Sequence, residues 1–311
     1  MTVRSVKNGG DPKVADGPGL GASLFGQTFE FIGQHGPKLG WGLLSVGLFA
    51  GLWELLWYIG LVDQRLLPPP HIFLSDFAGQ AKNFNTAKRW EIGVDPNSGP
   101  TPEMAVIITM ASSTLRVLAG LAIAAITSLC MGILIRYHGL IGKLVLPMVT
   151  LLAPVSPVAW LPVAIFLFGI GNGPAIFMVF IALFFTMTLA TITQIDSVNR
   201  NYINVARTMG ASKRQIYTRV ILPAILPGLL VVLRLNLFAA WMVVLVAEAI
   251  GVGYGLGQII SMARNTFNPG LVYLTMVIIG LLGFTFDFGL RLLQRHVLFW
   301  IPKGQGGLGS G

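Results

Sequence analysis

The stretch Asn204-Val-Ala-Arg-Thr-Met-Gly210-Ala-Ser-Lys-Arg-Gln-Ile-Tyr-Thr-Arg-Val220-Ile-Leu222-Pro223 decides how this chain is read. It is polar, carries Arg207, Lys213, Arg214 and Arg219, and has long apolar runs on both sides. Gly210 suits the left-handed position that closes a helix, because no Cβ opposes that conformation. Ser212, followed three residues on by Gln215, matches a capping box, in which each side chain bonds the other residue's backbone amide. Pro223 restricts the residue before it and marks the return to apolar sequence. This chemistry predicts two short helices hinged at Gly210, held at a membrane surface and presented to a soluble partner.

Composition sets the solvent. Of 311 residues, 54% are hydrophobic and 11% charged, with a mean hydropathy of +0.74. A soluble domain carries about 25% charged residues, so this is an integral membrane protein. A crossing helix needs about 20 mostly apolar residues. Six such spans are predicted, near 40–61, 106–135, 140–170, 174–195, 221–250 and 271–298. The expected fold is therefore all-α and polytopic. Residues 1–38 form an N-terminal segment, disordered over the first 20, with no signal peptide; Leu24, Phe25, Phe29, Phe31 and Ile32 make a stripe suited to an interfacial helix. The transmembrane domain covers 39–303, with a polar outer insert at 62–105 and the polar hairpin segment at 196–223. A Gly/Ser-rich tail, 304–311, follows.

The net charge of +9 does not call for nucleic acid. On this topology, with Lys143, Arg291 and Arg295 at the inner ends of their spans counted as cytoplasmic, 14 of the 21 Lys and Arg lie in cytoplasmic segments, five outside, and Arg116 and Arg234 inside spans. That asymmetry is the positive-inside bias, with both termini cytoplasmic. Gly120, Ala124, Ser128 and Gly132 recur every four residues on the second span and predict a close helix contact. The third span is interrupted at Pro154-Val-Ser156-Pro157-Val-Ala-Trp160-Leu-Pro162. Irregular backbone at membrane depth persists only against protein or a watery cavity, so Pro154, Ser156, Pro157, Trp160 and Pro162 are predicted to line the pathway. Gly251-Val-Gly253-Tyr-Gly255-Leu-Gly257 reads as a flexible outer loop.

Glu54, Arg116, Arg234, Glu248 and Asp287 lie inside spans, where ionisable groups either pair or work. Pairing is the expected state, with Glu54 and Arg116 at similar depth. These charges sum to −1, so no positive well is apparent. Any anion within these spans would have to be held by a basic group released from its pair, or by helix N-termini and backbone amides at the Pro154–Pro162 break, and the second is the expectation. No segment has the phosphate-loop pattern Gly-x4-Gly-Lys-Ser/Thr, and the four histidines and single cysteine have no metal-ligand spacing. The chain is read as a non-enzyme without cofactor or metal of its own.

The opening stretch resembles the coupling loop of bacterial ABC-importer permeases, whose pattern is Glu-Ala-Ala, three residues, Gly, nine residues, Ile, one residue, Leu-Pro. Ala206, Gly210, Leu222 and Pro223 fall in register, with Val220 in the Ile position, Asn204 in place of Glu and Val205 in place of the first Ala. Trp53-Glu54, Leu67-Pro-Pro-Pro70, Leu115-Arg116-Val-Leu-Ala-Gly120, Pro157-Val-Ala-Trp160-Leu-Pro162, Phe168-Gly-Ile-Gly171, Gly228-x5-Arg234-Leu and Ala247-Glu248 extend the likeness. Together they resemble the permeases of nitrate, sulfonate, taurine and bicarbonate importers. The resemblance implies a type I ABC-importer permease fold in the bacterial inner membrane, moving a small anion inward by alternating access. It implies a second copy of the chain, an extracytoplasmic binding protein and two ATPase subunits that carry ATP and Mg. It also implies that Asn204, Ala206, Arg207, Gly210, Ala211, Ser212, Lys213, Leu222 and Pro223 couple to the ATPase. A permease for a neutral or heterocyclic solute, such as a thiamine precursor, is the alternative. A more distant one is an ion-coupled carrier in which Glu54, Glu248 or Asp287 titrates.

Overall fold

The computed structural model describes residues 40–42, 44–61, 63, 65–85 and 101–298, in two units, Met1–Gln64 and Arg65–Gly311. The Leu24–Ile32 stripe and the 304–311 tail lie outside the described residues. The first unit contributes α1, Gly40–Tyr58, a 19-residue apolar helix that carries Glu54. On it the rings of Phe49 and Trp53 meet edge to face at 6.1 Å.

The second unit starts with two short helices, α2 (Pro70–Ser75) and α3 (Phe77–Ala81), and a 3-10 turn, Lys82–Asn85. Then come α4 (Pro102–Tyr137), α5 (Gly139–Leu152), a 3-10 turn at Pro157–Trp160 and α6 (Leu161–Phe168). Next are α7 (Asn172–Asp196), α8 (Arg200–Thr208), α9 (Lys213–Ile216), a π turn at Tyr217–Ile221 and α10 (Leu222–Ala247). A second π turn, Glu248–Val252, leads to α11 (Leu256–Asn265) and α12 (Pro269–Val297). Among the described residues there is no strand.

Among the described residues, five helices are long and apolar enough to cross a membrane: α1, α4, α7, the 40-residue run Lys213–Val252, and α12. The predicted third span is α5 followed by Pro157–Phe168, bent by 102° at the proline-rich break; counted as one, it is the sixth.

The small-residue stripe does what its spacing predicts. Gly120, Ala124, Ser128 and Gly132 are all buried. A Cβ at Gly120 would stand 2.6 Å from the Val179 side chain, and one at Gly132 would stand 2.6 Å from Thr191. Both neighbours belong to α7, so backbone-close packing of α4 on α7 forms the centre of the unit.

Two expectations need correction, and one segment that the sequence left without a structural reading is folded. Pro223 does not end a helix: Ile221 and Leu222 are both right-handed helical, and the chain runs through from Lys213 to Val252. A proline ring clashes with the carbonyl four residues back, and here the π turn over Tyr217–Ile221 opens the backbone at that place. The glycine-rich segment is not a flexible loop. It is a short π turn and link into α11, where Leu256, Ile259 and Ala263 are buried. A Cβ at Gly257 would overlap the Leu245 carbonyl, so backbone approaches backbone here. Finally, the front of the outer insert is folded, with Phe73, Ala81 and Phe84 buried. It packs on the start of α12 through Phe73 stacked on Tyr273 and Asn268 Nδ2 donating to Gln80 Oε1 at 2.9 Å.

Candidate functional site

The predicted hairpin forms from its own sequence. Asn199 caps α8, its side chain accepting from the Asn201 amide at 2.9 Å. At the other end Gly210, with φ of 79°, reverses the chain. The Gly210 amide donates to the Arg207 carbonyl and the Ala211 amide to the Ala206 carbonyl, both at 3.0 Å. This pair is a Schellman closure, and it gives the motif alanine a backbone role. Ser212 and Gln215 form the reciprocal capping box at 3.3 and 2.8 Å. The second arm is not a separate short helix but the first turn of the Lys213–Val252 helix.

The hairpin is fastened to the end of α4. Lys213 Nζ donates to the Tyr137 carbonyl at 2.5 Å and lies 4.4 Å from the centre of the Tyr137 ring. Tyr217 Oη donates to the Arg136 carbonyl at 3.0 Å, and Arg136 pairs with Asp196 at the end of α7. A cation and a hydroxyl thus satisfy carbonyls that a helix C-terminus leaves open. Beneath, Ile195, Ile216, Ile221 and Ile225 form a buried cluster with Ala206 and Ala211 packed on it. Asn204, Arg207, Gly210, Ser212, Lys213 and Pro223 are exposed and Leu222 half-buried. Tyr202, Val205 and Met209 expose an apolar ridge along α8.

At the proline break, Pro154, Ser156 and Pro162 are exposed and Pro157 and Trp160 half-buried. Pro154 also edges an open apolar groove with Leu146, Pro147, Thr150 and Leu151. Beyond the break, Leu161 and Ala164 of α6 are buried.

The span charges pair, but not as depth alone suggests. Arg116, 2% exposed, meets Glu248, fully buried, at 2.6 Å. Glu54 belongs to the first unit. Arg116 Nε also donates to Asn172 Oδ1 at 2.7 Å and Nη1 to the Tyr254 carbonyl at 3.2 Å. Its guanidinium lies 4.2 Å from the centre of the Tyr254 ring, whose hydroxyl donates to the same Asn172 oxygen at 2.7 Å. Glu248 Oε2 accepts from the Gly257 amide at 3.0 Å, and the absent Cβ of Gly255 leaves its carboxylate room. Ser113 Oγ, one turn before Arg116, accepts from the Leu256 amide at 3.0 Å. Arg234 pairs with Asp287, which also holds Arg291 at 2.8 Å. Nothing local marks Asn172, Tyr254 or Ser113, whereas Arg291 carries a local signal in standing four residues beyond Asp287. Gly255 and Gly257 had a local signal, since tight glycine spacing foreshadows a close approach.

A family model for the binding-protein-dependent transport system inner membrane component matches residues 102–299. The chain is 28% identical to the taurine transport system permease of Escherichia coli, covering 83% of this chain and 89% of that one. It is 30% identical to a nitrate import permease of Leptolyngbya laminosa (62% and 70%) and 31% identical to a bicarbonate transport permease of Synechococcus elongatus (61% and 68%). The inward-facing MetNI methionine ABC transporter has a chain of the same fold, at 20% identity and a TM-score of 0.57, with 64% of this chain and 99% of that one covered. With the spans, the fastened hairpin and the matched region in agreement, this chain belongs to the permease family of ABC importers, the inner-membrane components of binding-protein-dependent transport systems.

Proposed function

We propose that this chain is the translocation subunit of an importer for a small anion of the nitrate, bicarbonate or sulfonate/taurine class. Two copies form the pathway in the bacterial inner membrane, with the termini in the cytoplasm, an ATPase subunit on each hairpin and a binding protein outside. The single observation that carries the coupling role is the way the hairpin is built. It is closed by backbone chemistry, fastened to α4 at Tyr137 and Arg136, and presents Tyr202, Val205 and Met209 outward. An exposed apolar ridge on a rigid, polar element fits a groove in a soluble partner. Asn204, Arg207 and Ser212 edge that ridge, while Gly210, Ala206, Ala211, Lys213, Leu222 and Pro223 set its geometry.

ATP and Mg belong to the partner ATPase in this reading. Closure of the ATPases displaces the hairpins, and the long helix that starts at Lys213 carries the displacement into the membrane. The wall at Pro154–Pro162 moves relative to it and alternates access. The anion class follows from the relatives that carry taurine, nitrate and bicarbonate in their names. An ion-coupled carrier would need a titrating acid, whereas Glu248 and Asp287 are each held by arginine.

The test is uptake into proteoliposomes holding this chain, its ATPase and its binding protein. Labelled nitrate, bicarbonate and taurine are compared with a neutral heterocycle. ATP-dependent accumulation of one of the anions, insensitive to proton-gradient collapse, is the expected result. Accumulation that needs the gradient and no ATP overturns the reading.

A further inference from the structure

Arg234, Asp287 and Arg291 form a cluster whose charge does not balance. Asp287, on α12, is nearly buried, with its side chain 8% exposed. Its Oδ1 accepts from Arg234 Nε on α10, and its Oδ2 accepts from Arg291 Nε at 2.8 Å. Arg291 Nη2 lies 2.8 Å from the same Oδ2, one helical turn further along α12. Both carboxylate oxygens are therefore committed, to two guanidiniums, and the cluster carries a net charge of +1.

The expectation of no positive well counted Arg291 with the cytoplasmic tail and so missed this. Arg291 stands four residues beyond Asp287, and that spacing brings it onto the same face. One of the two cations lies at mid-helix. Arg234 sits at the middle of α10, about 18 Å from either end at 1.5 Å per residue. On the same two helices Leu235, Phe238, Phe284 and Leu292 are exposed apolar side chains. An unmatched cation among apolar groups at this depth is unfavourable unless an anion or a watery channel meets it.

The two guanidiniums keep donors to offer. Their side chains are 31% and 56% exposed, and among the described residues Nη1 of each makes no hydrogen bond. Guanidinium groups present planar forks that match planar or tetrahedral oxygen anions, which a lysine would hold only as a point charge. We propose that Arg234 and Arg291, spaced by Asp287, form an oxoanion site on the α10–α12 face. The occupant is a free oxoanion in transit or the phosphate of a lipid headgroup, which share this chemistry. Asp287 holds the two cations together and limits their sum to +1, so an anion is held loosely enough to leave. The transit form of the proposal rests on the anion-import reading; the site itself does not.

Single neutralisations test it without stranding a charge. Arg234→Gln leaves the pair Asp287–Arg291, and Arg291→Gln leaves Asp287–Arg234, each neutral. Arg234→Lys keeps the charge and removes the fork. The purified complex is titrated with sodium nitrate by calorimetry at fixed ionic strength with chloride as balance. Its bound phospholipid is read by native mass spectrometry, and anion uptake is measured in proteoliposomes. We expect nitrate affinity and uptake to fall at least tenfold in Arg234→Gln, with partial recovery in Arg234→Lys. Asp287→Asn should bind nitrate more tightly and turn over more slowly. Loss of bound anionic phospholipid in both Gln variants, with nitrate binding and uptake unchanged, assigns the site to a lipid phosphate. If neither nitrate nor phospholipid responds in complexes that elute as the intact assembly, the site does not exist. If the wild-type complex imports none of the anions, the import reading falls. The titration and the lipid readout then still decide the site.

Discussion

At the residue scale, the Arg116–Glu248 pair turns on how buried charge is compensated. Two ions are taken out of water here, and their mutual attraction alone seldom offsets the desolvation. Asn172, the Tyr254 carbonyl and ring, and the Gly257 amide supply further donors and acceptors around them. Removing one partner strands the other. Arg116→Gln should lower stability by about 3–5 kcal/mol, because Glu248 is left buried without its partner. The double variant Arg116→Gln with Glu248→Gln should recover a large part of that loss, since two neutral amides can bond each other. Thermal midpoints in detergent, combined as a double-mutant cycle, give the coupling. A cycle showing no coupling would mean the pair is incidental to folding.

At the element scale, the hairpin at Arg200–Ile216 was legible before any coordinates because capping chemistry is local. Gly210, Ser212 and Gln215 lie within six residues of one another and decide the geometry themselves. A valine at Gly210 would have to hold φ near 79°, a region that costs an ordinary residue about 1–2 kcal/mol and a β-branched one more. Gly210→Val should insert normally yet lose substrate-stimulated ATP hydrolysis in the reconstituted complex. Unchanged stimulation would rule out the hairpin as the docking element. Lys213 is a poor probe of partner contact, because it caps α4 at Tyr137. Arg207→Glu with Arg214→Glu is cleaner: both are exposed, and the pair should reduce ATPase co-purification several-fold while leaving the spans intact. Elements fixed by distant partners were less legible. The stripe Phe73, Phe77, Ala81, Phe84 has helical spacing, but the polar residues around it hid a fold that needs α12 to bury it. The run Leu256, Ile259, Ile260, Ala263 has the same spacing, and the glycines before it disguised a helix start as a loop.

At the scale of the whole molecule, hydropathy located the spans because lipid demands internally bonded backbone of fixed length. It did not locate ion-pair partners, because Arg116 and Glu248 are 132 residues apart and only packing of α4 against the end of the Lys213–Val252 helix brings them together. The proposed second copy makes a direct prediction. With the ATPase and binding protein removed, native mass spectrometry should find an assembly of two 33.4 kDa chains. A monomer that still supports uptake after reconstitution would overturn the two-copy pathway.

The attachment of Lys213 and Tyr217 to the end of α4 has a mechanical consequence when set beside the Arg116–Glu248 contact. The same two members, α4 and the Lys213–Val252 helix, are bolted at two points, once at Tyr137 and Arg136 and once at Arg116, near the middle of α4. Two members fixed at two points resist sliding past one another, so a push on the hairpin reaches the level of Arg116 with little slack. The compliance must then reside in the pieces left outside the frame. The 102° bend between α5 and the Pro157–Phe168 segment is one, and the Gly169–Gly171 link, with φ of 71° and 145°, is the other. In the proposed coupling, the frame is the lever and the proline-broken wall the part that is levered.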